Sequence, residues 1–212
     1  VLEIEAVKKE VFQVLDEKLG SEAILTSNTS SLSVTRVGAG LARRHQLAGL
    51  HFFNPVEKME LVEVVRTEAT DNETMNRIVG FVNSIGKTPI VTSDKPDFLV
   101  NRVLFPYLGE AIRMVAEGNE ISKIDRQMRQ FGMPMGPLEL LDQVGVDIAL
   151  HVAESLDSVL PESDGTADFL RRMIDYGWSG KKSGIGFYSY QDGKRVDVNP
   201  QIPQDAVAPR LG

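Results

Sequence analysis

The chain has 212 residues, which at roughly 150 residues per domain corresponds to one large domain or two small ones. It carries 23 Lys and Arg against 30 Asp and Glu, a formal net charge of -7, and this acidic balance argues against nucleic-acid binding. No cysteine is present, which excludes disulfides and thiolate metal sites and fits a reducing compartment such as the cytoplasm. The chain has three histidines, which argues against a multi-histidine metal site. It contains no apolar run of about 18 residues, so the sequence predicts no membrane span.

Helix and strand patterns alternate through the first half of the chain. Apolar residues recur at helical spacing in two segments, and short apolar runs bounded by polar or turn residues mark the strands. The predicted helices cover residues 6–19 and 72–85, and the predicted strands cover residues 23–26, 47–53, 60–67 and 88–92. This alternation predicts an open α/β sheet.

The second half of the chain has mainly helical patterns. We place the domain boundary near residues 93–97, where Ser, Asp, Lys and Pro interrupt the apolar pattern. This predicts an α/β domain over residues 1–93, a helical domain over 94–190 and an extended tail over 191–212. The predicted helices cover residues 98–116, 121–131, 137–156 and 167–176, with one short strand pattern over 184–190.

The glycine-rich turn that opens most dinucleotide-binding α/β domains is absent from this sequence. Such domains begin with a strand, a G-x-G-x-x-G turn and a helix. The nearest approach is Gly-Ala-Gly-Leu-Ala-Arg at residues 38–43, in which Arg43 takes the last glycine position and no clear strand precedes. We interpret this segment as a loop or helix end. The first half is therefore predicted to be an α/β domain that lacks its first βαβ unit.

Three polar segments lie where a predicted strand ends or a predicted helix begins, and ligands bind at such places in open α/β folds. The cluster Ser-Asn-Thr-Ser-Ser at residues 27–31 follows a predicted strand, although it would equally form a Ser/Thr turn or a helix N-cap. His51 ends the second strand beside Phe52 and Phe53, and a strand–turn–strand return would bring Glu63 to its imidazole. A carboxylate there fixes the tautomer and stabilises the imidazolium, as in general base catalysis. Alternatively, His51 is a core histidine and Glu63 is solvated.

The third polar segment spans residues 94–102 at the predicted domain junction. Asn101 falls in the first turn of a long predicted helix, and clefts often form at such junctions. Its amide could hydrogen-bond a substrate oxygen, or it could brace the linker.

Five motifs in this order and spacing resemble the L-3-hydroxyacyl-CoA dehydrogenase family. Within that family the sequence is most similar to the dehydrogenase region of multifunctional fatty-acid oxidation complex α-subunits. The motifs are Ser-Asn-Thr-Ser-Ser-Leu (27–32), His-Phe-Phe-Asn-Pro (51–55), Leu-Val-Glu-Val-Val (61–65), Asp-Lys-Pro-Asp-Phe-Leu-Val-Asn-Arg (94–102) and Met-Pro-Met-Gly-Pro-Leu-Glu-Leu-Leu-Asp (133–142). The resemblance implies a truncated Rossmann-like NAD-binding domain followed by an all-α C-terminal domain.

The resemblance also implies an activity and its chemistry. The reaction is oxidation of an L-3-hydroxyacyl-CoA to a 3-ketoacyl-CoA in fatty-acid β-oxidation, with hydride transfer to NAD. His51 takes the role of general base and Glu63 that of its carboxylate partner. Ser30 and Asn101 hold the substrate oxygen.

The cofactor residues follow from the same resemblance. They are Glu3, Lys8, Ser30, Asn54 and Lys182, of which Asn54 lies beside the nicotinamide. The family further implies a homodimer formed through the helical domain and, within a complex, contact with a thiolase subunit. NADP stays open as the cofactor, because the residue that reads the ribose lies in the part of the fold that this sequence lacks.

Two positions depart from the family pattern, and two other functions stay open. Asp97 stands where the family commonly has Gly, and Ile4 stands where it commonly has Asn after Glu3. The first alternative function is a non-catalytic module that dimerises or docks a partner within a fatty-acid oxidation complex. Its apolar helix face would comprise Leu138, Leu141, Val144, Ile148 and Val152. The second is a β-hydroxyacid dehydrogenase that acts on free acids. The His51–Glu63 pair argues against it, because enzymes of that family usually use a lysine as the base.

Overall fold

The computed structural model of the chain describes residues 3–157 and 165–202. The chain forms two compact units, Val1–Val100 and Asn101–Gly212. The division falls a few residues after the boundary predicted near residues 93–97. Among the residues described, no helix combines the length and the apolarity needed to cross a bilayer.

The first unit is a four-stranded sheet with helices on both faces. Its strands lie in the order β1-β2-β3-β4, with β1 parallel to β2, β2 antiparallel to β3, and β3 parallel to β4. The predicted helices and strands of this half are confirmed to within about two residues, and the short helix α2 is additional. The elements are α1 (Glu5–Lys18), β1 (Leu25–Ser27), α2 (Val34–Val37), β2 (Leu47–Phe52), β3 (Leu61–Arg66), α3 (Asn72–Ser84) and β4 (Thr88–Ser93).

Strand residues alternate between two apolar clusters, one on each face of the sheet. One cluster includes Phe12 of α1, Val34 and Val37 of α2, and Phe98. The other includes residues of α3. Burial on both faces explains why β2 and β3 read as almost continuous apolar runs. A polar side chain pointing from the middle of either strand therefore lies in the core.

The segment at residues 38–43 is a turn, as predicted. Helix α2 ends at Val37, and Arg43 turns its guanidinium to the end of α1. There it pairs with the Asp16 carboxylate, with 2.5 Å between Nε and Oδ1, and donates to three main-chain oxygens, including that of Leu19 at 3.0 Å. Arg43 thus donates to main-chain carbonyl groups in the last turn of α1 and just beyond it.

The second unit is helical, as predicted, and it also carries a β-hairpin whose first strand overlaps the strand pattern predicted over residues 184–190. The helix predicted over residues 137–156 is two helices, because Gly145 has a φ of 105°. Residues within the predicted tail 191–212 form strand β6, while residues 203–212 lie outside the described part. The elements are α4 (Val100–Ala116), α5 (Ile121–Phe131), α6 (Pro137–Val144), α7 (Val146–Asp157), α8 (Thr166–Asp175), β5 (Tyr188–Gln191) and β6 (Lys194–Val198).

A buried aspartate attaches the hairpin to the helices of the second unit. Asp142 of α6 accepts hydrogen bonds from the main-chain N–H groups of Phe187 and Tyr188, at 2.9 Å each, and from the Tyr190 hydroxyl at 3.1 Å. Burial raises the pKa of Asp142 to about 6, although the hydrogen bonds oppose that shift. Gly186 allows this approach, since a Cβ there would lie 1.9 Å from Asp142 Oδ1. The hairpin is therefore part of the helical unit rather than a separate tail.

Asp97 and Phe98 adopt a backbone conformation that favours glycine. Their φ angles are 59° and 51°, and both side chains are buried. Left-handed geometry at position 97 gives a physical reason for the glycine common in the family. It also places the Phe98 ring in the core beside His51, with 5.8 Å between ring centroids.

We expect the Asp97→Ala variant to be less stable than the Asp97→Gly variant by about 0.5–1 kcal/mol. Both substitutions remove the carboxylate, so their difference isolates the backbone: glycine adopts the positive φ without a Cβ clash, whereas alanine does not. Urea denaturation of the two variants measures the free energies of unfolding. An alanine variant as stable as the glycine variant would show that position 97 carries no backbone strain.

Candidate active site

The His51–Glu63 pair is set by the register of two antiparallel strands. His51 of β2 lies directly opposite Glu63 of β3. Their side chains meet on the sheet face that carries Phe98, with 2.7 Å between His51 Nδ1 and Glu63 Oε2. His51 is 5% exposed and Glu63 is 0% exposed. The predicted strand–turn–strand return is thus confirmed, and the alternative of a solvated Glu63 is wrong.

Glu63 is ionised although it is fully buried. Burial by itself raises the pKa of Glu63, but the hydrogen bond with His51 and two main-chain hydrogen bonds outweigh it and hold that pKa below its usual value. The main-chain donors are the N–H groups of Val100 and Leu99, each 2.9 Å from Oε1. One carboxylate oxygen therefore binds the imidazole and the other binds the backbone just after Phe98.

This arrangement decides which imidazole nitrogen is basic. An ionised carboxylate only accepts hydrogen bonds. Nδ1 of neutral His51 therefore carries the ring proton and donates a hydrogen bond to Glu63. The lone pair of the neutral ring is then on Nε2. Because Glu63 also stabilises the imidazolium, the pair has the chemistry of a general base.

Two aromatic rings flank the imidazole, but one differs from the prediction. The Phe53 ring centroid is 4.6 Å from that of His51, as its neighbouring position suggests. The second ring is Phe98 and not Phe52, which packs with the cluster on the opposite face of the sheet. Alternation along β2 explains this, because residues 51 and 52 point to opposite faces. Asn54, two residues beyond the end of β2, is exposed.

A second group of predicted residues meets at the loop after β1. The main-chain N–H of Ser30 donates to Glu3 Oε1 at 3.1 Å, and Glu3 Oε2 pairs with Lys8 Nζ at 2.9 Å. Partial burial alone raises the pKa of Glu3, but hydrogen bonds from Thr29 and Lys8 lower it below its usual value. The Asn28 side-chain oxygen accepts a long hydrogen bond of 3.4 Å from the Phe52 N–H, so this loop lies beside the end of β2.

The Ser/Thr-rich cluster also forms a turn, and a helix cap follows it, which agrees with the alternative interpretation of this segment. Thr29 Oγ1 accepts from the Leu32 N–H at 3.0 Å, which forms a turn, and Ser33 caps α2 by accepting from the Arg36 N–H. Sequence reasoning gave Thr29 no individual role. Its signal was its position inside the polar cluster, but the pattern alone did not say which hydroxyl would be buried.

Asn101 and Lys182 belong to the second unit. Asn101 is the second residue of α4 and is half-buried. Lys182 lies in a short 3-10 turn, and its ammonium is 2.5 Å from Asp147 Oδ1. Burial alone raises the pKa of Asp147, but the hydrogen bond and charge of Lys182 lower it. Lys182 is thus fixed by an acidic partner within its own unit.

Comparison with known proteins places the chain in an enzyme family. Residues 1–95 match the model for the 3-hydroxyacyl-CoA dehydrogenase NAD binding domain, and residues 98–190 match that for the 3-hydroxyacyl-CoA dehydrogenase C-terminal domain. The chain belongs to the 3-hydroxyacyl-CoA dehydrogenase family. Its first unit accordingly has the fold of a Rossmann-like NAD-binding domain.

Individual relatives agree with this assignment. The chain is 43% identical over 198 residues to the fatty acid oxidation complex subunit alpha of Idiomarina loihiensis, and the match covers 92% of this chain and 28% of that protein. The (S)-3-hydroxybutyryl-CoA dehydrogenase of Ralstonia eutropha is 34% identical with a TM-score of 0.85, over 91% of this chain and 69% of that one. The 3-hydroxybutyryl-CoA dehydrogenase of Escherichia coli is 37% identical with a TM-score of 0.86, over 93% and 43%. The chain thus spans little more than a quarter of the curated relative.

Proposed function

We propose that this chain supplies the catalytic base of an NAD-dependent L-3-hydroxyacyl-CoA dehydrogenase of fatty-acid β-oxidation. The observation that carries the proposal is the buried His51–Glu63 pair, with its 2.7 Å hydrogen bond at Nδ1. A hydride leaves an alcohol carbon readily only if the hydroxyl proton is removed as well, so the reaction needs a positioned base. His51 Nε2 accepts that proton from the 3-hydroxyl of the substrate, and Glu63 stabilises the resulting imidazolium. One such base contributes about 10²–10⁴-fold to the rate.

Ser30 and Asn101 hold the substrate oxygen in the proposed mechanism. Hydroxyl and amide N–H groups donate to an oxygen that gains negative charge during the reaction. Ser30 is an exposed residue of the loop that follows β1. In the reverse direction, the imidazolium of His51 returns the proton to the same oxygen.

The residues of the first unit fit the nicotinamide half of NAD. The Asn54 amide offers a donor and an acceptor, as does the Ser30 hydroxyl, and these match a carboxamide and ribose hydroxyls. Glu3 and Lys8 support this side of the site, and we assign Lys182 to the nucleotide as well. When bound, NAD supplies the acceptor for the hydride that leaves C3 of the substrate. The sequence itself contains no G-x-G-x-x-G turn for the pyrophosphate.

We further propose a cytoplasmic homodimer that forms through the helical unit and contacts a thiolase subunit. The support is the similarity to a fatty acid oxidation complex subunit and the absence of cysteine. The alternative of a purely non-catalytic docking module is weakened by burial, because Leu138, Leu141 and Val152 of the proposed apolar face lie in the core. On the same face only Val144 and Ile148 are exposed, at 41% and 51%.

A spectrophotometric assay of the native gene product tests the proposed function. Acetoacetyl-CoA and NADH are supplied, and the loss of NADH is followed. We expect turnover that depends on both reagents and is slower with NADPH. Absence of turnover, together with retained binding of a thiolase subunit, would favour the docking module instead.

A further inference from the structure

The loop that presents Ser30 is held at three consecutive residues. Lys8 Nζ donates to the Asn28 carbonyl at 2.8 Å, the Thr29 hydroxyl donates to Glu3 Oε1, and the Ser30 N–H donates to that same oxygen. Lys8 is 4% exposed and Thr29 is 2% exposed, so the polar groups of both side chains are buried. A buried ammonium or hydroxyl must be hydrogen-bonded, and here the partners lie within one loop and its Glu3 anchor.

Thr29 is the residue that joins this anchor to the turn that follows. Its hydroxyl donates to Glu3 and accepts from the Leu32 N–H, so it uses both of its hydrogen-bonding roles. Ser30 lies in the chain between Thr29 and Leu32, and its own N–H also donates a hydrogen bond to Glu3. The backbone on either side of Ser30 is therefore fixed through a single hydroxyl oxygen.

We infer that Thr29 is a positioning residue, which acts on the reaction through Ser30 by holding the Ser30 backbone against Glu3. This rests on the proposed function of Ser30 as a ligand of the substrate oxygen. Groups that hold a reactive or binding side chain from behind commonly contribute 10- to 100-fold to activity, since small displacements of the group weaken its contacts with the transition state.

A double-mutant cycle tests whether Thr29 acts through Ser30. We expect Thr29→Val to lower kcat/KM about tenfold in the otherwise unchanged enzyme, but less than about twofold in the Ser30→Ala background. Thr29→Ser keeps the hydroxyl and is expected to restore kcat/KM to within about threefold of the unsubstituted enzyme. A purely structural role predicts equal losses in both backgrounds, and that result would overturn the inference.

Thr70→Val is the matched control. Thr70 is also a buried threonine of the first unit, and its hydroxyl donates to the Leu47 carbonyl at 2.6 Å, at the opposite end of β2 from His51. We expect this variant to lose stability as Thr29→Val does, with kcat/KM unchanged. A comparable loss of kcat/KM in Thr70→Val would show that the Thr29 effect reports general destabilisation, and would contradict the inference.

Amide hydrogen exchange provides a readout that needs no catalysis. Ser30 is an exposed residue whose amide N–H donates to Glu3 Oε1 at 3.1 Å, so weakening this hydrogen bond lowers the protection of the amide. Thr29→Val is expected to accelerate exchange of the Ser30 amide by about fivefold or more, whereas Thr70→Val leaves it unchanged. If the native protein lacks dehydrogenase activity, the proposed function fails, while exchange at Ser30 still decides the positioning role. An unchanged Ser30 exchange rate in Thr29→Val would overturn the inference whatever the activity.

Discussion

The His51→Gln variant is expected to lose dehydrogenase turnover by at least 10²-fold and up to about 10⁴-fold, with its fold intact. Glutamine is close in size to histidine, and its amide N–H can still donate to Glu63, so the buried carboxylate keeps a partner. It cannot accept a proton near neutral pH, and the base is therefore lost without an unpaired charge. Steady-state kinetics measure kcat, and circular dichroism with thermal unfolding checks the fold.

His45→Gln is the control for this substitution. His45 is an exposed histidine of the same unit, and its main-chain carbonyl accepts a hydrogen bond from the Asp71 N–H at 3.1 Å. We expect its turnover to match that of the unsubstituted enzyme. Full activity of His51→Gln would show that another group removes the proton and would refute the role given to His51.

The Glu63→Gln variant is expected to lose about 10²–10⁴-fold in kcat by changing the tautomer of His51. If the new amide keeps its oxygen on the Leu99 and Val100 N–H groups, its NH₂ faces Nδ1, which must then accept. The ring proton moves to Nε2, the atom that should take the substrate proton. If the amide flips instead, its NH₂ faces two N–H donors, at a cost of about 1–3 kcal/mol in stability.

Thermal unfolding measured beside kcat separates this effect from simple misfolding. Because the lost step is proton transfer, kcat of Glu63→Gln is expected to fall while the protein remains folded at the assay temperature. Glu60→Gln, at an exposed glutamate just before β3, is expected to leave both kcat and the unfolding temperature in place. Full turnover in Glu63→Gln would contradict the role of Glu63 in fixing the tautomer of His51.

The His51–Glu63 contact could be predicted from sequence because it depends on local chain geometry. Two apolar runs separated by a short polar connection indicate antiparallel neighbours, and such neighbours place residues directly opposite one another. The position of Phe98 and the two N–H bonds to Glu63 were not accessible in this way. They depend on a left-handed backbone at positions 97 and 98, and a bulky residue such as Phe98 rarely adopts that conformation.

The errors in the second unit have equally specific causes. The apolar pattern continues across Gly145, so periodicity alone did not show that the helix breaks there. Strand β6 has no apolar strand pattern in the sequence, since four of its five residues, Lys194–Asp197, are exposed and three of them are charged. Asp192 and Gly193, both with positive φ, form the hairpin turn, and an Asp-Gly pair is a recognised signal for such a turn. That signal was present in the sequence and could have identified the hairpin.

Because His51 and Glu63 lie directly opposite one another, the proposed chemistry depends on the register between β2 and β3. A one-residue deletion inside β3 would bring Val62 or Val64 to the place of the carboxylate and turn the acid toward the opposite face. The exposed connection between the strands is not subject to that constraint, because the ladder of main-chain bonds, and not the length of the connection, sets the alignment. A change in the length of this connection would therefore leave the imidazole and the carboxylate aligned, as long as the ladder itself forms.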